Sequence, residues 1–159
     1  MIKGFEFVEV MEGYHYMPAV TQKKMSLRFK VKWGTEKLKE VLDPKSPSYL
    51  MFQLAGVLEA EGIADKTRTF GYLHLNYPEH KIQYALQFKS AEPPPVNDYL
   101  LTGEKMNIQW WNLPFSHTTC YTTIINGGDQ LISRGVVFFK LKNAVSFIKS
   151  FKIYRNTNV

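Results

Sequence analysis

The chain has 159 residues, a length that suits one domain able to bury a core without disulfides or a structural metal. Hydrophobic residues make up 45% and aromatics 14%, so low apolar content cannot leave it disordered. Twenty Lys and Arg against fourteen Asp and Glu leave a net charge of +6, which favours anionic partners without demanding them, and the single Cys120 excludes an internal disulfide and a cysteine-rich zinc site.

The first residues lack the long apolar run of a signal peptide, and no stretch approaches the length of a membrane span, so a soluble protein of the reducing cytoplasm is expected. Phe5 to Met11 is a first strand, apolar on both faces, ending near Gly13 and Pro18. From Met25 to Trp33 every second residue is apolar (Met25, Leu27, Phe29, Val31, Trp33), while Lys24, Ser26, Arg28, Lys30 and Lys32 fill the gaps. Side chains of a strand alternate between its faces, so this is a half-buried strand with a cationic outer surface. A short helix near 35–42 follows, with Thr35 as its cap and Pro44 ending it. The strand from Met51 to Ile63 carries Glu59 and Glu61 as possible partners for the lysine face, and its Gly56 marks a bulge, a bend or a close backbone approach.

Thr69 to Asn76 and Lys81 to Lys89 read as strands joined by a hairpin at Tyr77-Pro78-Glu79-His80. Pro93, Pro94 and Pro95 mark a surface connection. Tyr99 to Thr102 and Lys105 to Trp111 read as a tight hairpin around Gly103-Glu104. Thr118 to Ile125 is a strand rich in β-branched residues, and Asn126-Gly127-Gly128-Asp129 is the strongest turn signal, leading into Gly135 to Leu141. Ala144, Phe147, Ile148 and Phe151 fall at helical spacing, giving a short C-terminal helix near 143–151. The fold expected from these pieces is all-β and mainly antiparallel: residues 1–159 form a single β-barrel domain. One curled sheet of about eight to nine strands closes into a lipocalin-like barrel.

No catalytic constellation stands out. Gly127-Gly128 lacks the helix and Lys-Ser/Thr of a phosphate loop, and Cys120 faces away from Thr119 and Tyr121 on its strand, so nothing adjacent activates it. Small barrels fill their interiors, whereas wider ones leave room for one ligand, and aromatic residues with polar tips suit such a lining. Tyr72, His74, Tyr84, Trp110, Thr119 and Tyr121 are therefore candidate ligand-binding residues. Lys24, Arg28, Lys30 and Lys32 form a candidate anion-binding surface. Neither a metal nor a cofactor site is expected. The aromatics alternate away from those cations, which argues against a nucleic-acid partner.

In chain order, Phe7-Val8-Glu9-Val10-Met11-Glu12-Gly13-Tyr14, Leu54-Ala55-Gly56-Val57-Leu58, Ile82-Gln83-Tyr84-Ala85-Leu86-Gln87-Phe88, Leu101-Thr102-Gly103-Glu104-Lys105, Trp111 with Ser116 to Tyr121, and Gly135-Val136-Val137 are segments of interest. Together they make the chain resemble an accessory domain that accompanies large flavoproteins of the glucose-methanol-choline and cholesterol-oxidase-like type. The resemblance implies a ligand-handling domain beside a flavin oxidoreductase partner, with a lipid or sterol context. It transfers no catalytic residue, since the flavin chemistry lies elsewhere in such proteins, and this chain has no glycine-rich dinucleotide fingerprint. The leading expectation is a non-enzymatic barrel that binds an apolar small molecule or serves an oxidoreductase. Two alternatives stay open: a small enzyme on a hydrophobic substrate with His74 or His117 as acid or base, and an anion or nucleic-acid module built on the basic strand.

Overall fold

The computed structural model describes residues 1–90, 97–108 and 118–155. Nine strands share one antiparallel sheet: β1 (Ile2–Met17), β2 (Thr21–Thr35), β3 (Met51–Ala60), β4 (Ala64–Asn76), β5 (Lys81–Lys89), β6 (Asp98–Lys105), β7 (Thr119–Asn126), β8 (Leu131–Phe138) and β9 (Lys152–Arg155). Each of β1 to β8 pairs with its neighbours in sequence, and β1 closes the ring by pairing with β8 as well as β2. The result is a closed eight-stranded barrel with β9 added to the start of β1.

The two-residue rhythm of β2 survives intact. Leu27, Phe29 and Val31 are at most 1% exposed and point inward, while Lys24, Lys30 and Lys32 are exposed. Leu58, Leu86, Leu101 and Val137 meet them from the other strands, each fully buried. At Gly56 the close approach is real: a Cβ there would lie 2.0 Å from the Lys30 carbonyl oxygen, so only glycine lets β3 bend that tightly against β2.

Several boundaries differ from the sequence reading. Gly13 does not end β1 but lies inside it, paired with Leu27 and Val137. The first helix, α1, is shorter than expected, Leu38–Leu42, and the Thr35 hydroxyl accepts the Lys37 N–H at 2.9 Å just ahead of it. The hairpin expected around Gly103-Glu104 is absent, because β6 runs straight through both residues. Gly103 is glycine for a packing reason, since a Cβ there would sit 2.8 Å from Cys120 Sγ.

A 3-10 turn (Leu141–Asn143) leads into the C-terminal helix α2 (Ala144–Lys149), and β9, which the sequence reading missed, follows it. Beyond its pairing with β8, β1 would leave backbone groups without strand partners. Ser150 meets that need: its Oγ accepts the Val8 N–H at 2.8 Å and donates to the Phe147 carbonyl at 2.6 Å. Phe147 and Phe151 stack on Phe7 with centroids at 4.8 and 4.6 Å, and Phe5, Trp33 and Phe52 extend this aromatic cluster over that part of the barrel.

Candidate ligand-binding groove

Registration of four strands builds a hollow on the outer surface. Glu6, Gly34, Gln53 and Tyr72 lie in one cross-strand row, and Lys32, Ala55 and Phe70 lie in the next. Gly34 and Ala55 leave the middle of both rows low. Phe70 and Tyr72 rise on one side, 61% and 50% exposed, and Tyr154 of β9 stands on the other. The groove between them, open to solvent along its outer side, has a volume of about 500 Å³, within the usual ligand-pocket range of about 300–1,000 Å³. A second hollow of about 520 Å³ beside α1 shares Thr35, Glu36, Gln53 and Tyr72 with it, so Tyr72 stands where the two meet.

Polar groups converge at the β9 end. Glu6 accepts a hydrogen bond from the Tyr154 hydroxyl and ion-pairs with Lys32 and Lys152, both at 3.1 Å. The hydrogen bond from Tyr154, reinforced by the two ammonium groups, holds the Glu6 carboxyl at about 2, well below the usual carboxylate range. It is therefore a permanent acceptor at neutral pH. Beyond Phe70 lies another hollow, about 710 Å³, lined in part by Phe88, Tyr99, Leu100 and Ile125; it contains none of the candidate ligand-binding or anion-binding residues.

Of the six residues expected to line one interior, the five that are described do not meet. Among those five only Tyr84 points into the core, 3% exposed, whereas Tyr72 and His74 lie on the outer face of β4, and Thr119 and Tyr121 on the outer face of β7. Their strands alternate as predicted, but the inward set is Thr69 and Leu73 on one and Cys120, Thr122 and Ile124 on the other. Trp110 and His117 lie outside the described residues. His74 pairs across the sheet with Met51 and Gln83, with neither a nucleophile nor a carboxylate directly opposite.

Inside the barrel, an arrangement that sequence reasoning missed links Glu9, Tyr84 and Lys105. Lys105 Nζ lies 2.8 Å from Glu9 Oε1, the Tyr84 hydroxyl donates to Glu9 Oε2 at 3.1 Å, and the ammonium sits 5.2 Å from the Tyr84 ring centroid. Burial pushes the Tyr84 hydroxyl well above its ordinary value and the neighbouring Cys120 thiol up to about 12, so neither supplies an anionic nucleophile. The basic face of β2 is partly neutralised. Arg28 meets Glu59 at 3.2 Å, the partner foreseen from sequence, and Glu12 at 3.5 Å. Lys32 joins Glu6, and Lys24 lies 4.4 Å from the Tyr14 ring centroid. Glu61 does not pair with a cation of this face; its carboxylate accepts the Ser26 N–H.

His15 and Ser133, both 0% exposed, form a second buried pair. The Glu61 carbonyl can only accept, so His15 Nε2 carries the proton toward it at 3.1 Å, and Nδ1 accepts the Ser133 hydroxyl at 2.7 Å. This resembles a nucleophile and base in chemistry, but neither group reaches the surface, and its effect is to tie the β3–β4 turn to β1. Desolvation lowers the His15 pKa below its ordinary 6.5, opposed by the hydrogen bond to the Glu61 carbonyl and by the charge of the Glu61 carboxylate. A folded-state value below the unfolded one means the stability contributed by neutral His15 is present above about pH 6.5 and is lost as pH falls below it. Glu6 adds a second loss, from about pH 4.5 down to about 2. Thermal midpoints should thus fall in two stages on acidification, and His15→Gln should remove the upper stage; an unchanged upper stage would assign it to another group.

Among the described residues, no group of three or more His, Cys, Asp or Glu side chains is placed to hold a metal ion. Among them also, no helix is long and apolar enough to cross a membrane. Comparison of the chain with protein-family models, with curated proteins and with solved structures found no match.

Proposed function

We propose that this is a non-enzymatic binding barrel that takes an apolar small molecule, of lipid or sterol type, in the outer groove over β2 to β4. The carrying observation is the hollow left by Gly34 and Ala55 between an aromatic wall, Phe70 and Tyr72, and the Glu6–Tyr154–Lys32 cluster. A ligand with a flat apolar body and a terminal hydroxyl matches both ends. The body covers Phe70 and Tyr72, which are otherwise left in water, and the hydroxyl donates to the Glu6 carboxylate. The resemblance to a domain accompanying cholesterol-oxidase-like flavoproteins supports the same ligand class and an accessory role beside an oxidoreductase.

Ala55 is exposed, so Ala55→Trp fills the hollow without touching the core. Native mass spectrometry of freshly purified protein should show a retained small molecule in the wild type and its loss in Ala55→Trp. Tyr72→Ala should weaken retention roughly tenfold through lost apolar contact. Retention unchanged in both variants would remove the groove as the site.

A further inference from the structure

The C-terminal segment carries a surface the binding groove does not use. Leu141, Val145 and Ile148 are 75%, 61% and 70% exposed, and Val145 and Ile148 share one face of α2 by their spacing. The opposite side of the helix is satisfied, with Phe147 stacked on Phe7. Lys142 and Lys149 flank the exposed aliphatic side chains, and among the described residues neither makes an ion-pair contact, whereas Lys140 and Lys152 are held by Glu12 and Glu6.

We infer that this face docks the protein on an anionic lipid surface, with Leu141, Val145 and Ile148 entering the headgroup boundary and Lys142 and Lys149 meeting lipid phosphates. Composition distinguishes this occupant from a protein. Protein interfaces are depleted in Lys and draw their energy from Tyr, Trp and Arg, none of which lies between Leu141 and Lys149. A second copy would set the same lysines against each other. An anionic bilayer matches both features, since aliphatic side chains gain from leaving water and each nearby lysine contributes about fivefold in partitioning. The net charge of +6 adds long-range attraction of the same sign. This inference does not rest on the proposed ligand groove, so either can fail alone.

The test is sedimentation of the full chain with phosphatidylcholine vesicles with and without phosphatidylglycerol. Binding is expected with the anionic vesicles and should weaken with added salt. Val145→Glu/Ile148→Glu should abolish it, and Lys142→Glu/Lys149→Glu should lower it by at least about 30-fold. All four side chains are in water, so thermal midpoints should confirm that the variants fold. No binding to anionic vesicles, equal binding to both kinds, or full binding by the Val145→Glu/Ile148→Glu protein would overturn the inference. So would a wild-type dimer in sedimentation velocity that Val145→Glu/Ile148→Glu dissociates, which would assign the face to self-association.

Discussion

Lys105→Met should destabilise the protein by about 3–5 kcal/mol, because it leaves the Glu9 carboxylate buried with no cation beside it. Glu9 and Lys105 are 5% and 3% exposed, so water cannot replace the lost partner. For a chain of this size the change corresponds to a fall in thermal midpoint of roughly 6–20 °C. The triple variant Glu9→Leu/Tyr84→Phe/Lys105→Met removes every member of the cluster and should recover most of the loss, since well-packed apolar replacements of a buried pair are often neutral or stabilising. Urea unfolding of the three proteins checks both expectations. A Lys105→Met protein as stable as the wild type would mean that the pair is not buried in solution.

Phe29→Ala should cost about 3–5 kcal/mol, while Lys30→Ala, one residue along, should stay within about 0.5 kcal/mol of the wild type. Phe29 is 0% exposed and packs near Tyr84, with ring centroids at 6.0 Å, so its removal opens a cavity at the barrel's centre. Lys30 projects from the opposite face of the same strand into solvent. Shifts in the urea midpoint at constant slope would measure the contrast directly. Comparable losses at the two positions would contradict the inward and outward sorting of β2.

That sorting was legible because β2 separates its two faces into different chemical classes. The strand Lys81–Lys89 was equally clear and is found with those bounds. Where both faces mix polar and apolar groups, alternation shows only which residues lie together. Tyr72 and His74 do share a face, as do Thr119 and Tyr121, but that face is the outer one because Leu73, Cys120 and Ile124, beside the small Thr69 and Thr122, offer the core apolar surface with fewer and smaller polar groups to bury. Gly103 misled for a related reason. A glycine beside a charged residue is a turn signal in one dimension, and only the neighbouring strand shows that it makes room for Cys120 Sγ.

Local alternation and turn chemistry by themselves determined that this chain is all-β and mainly antiparallel with a short helix near its C-terminus, since a two-residue period depends only on backbone geometry. The tertiary structure alone decided which mixed faces turn inward, that Glu9 meets Lys105 across 96 positions, and that Glu6, Gly34, Gln53 and Tyr72 line up over four strands. Those outcomes depend on strand register and barrel closure. Both are set by the packing of the whole core, which no single segment contains.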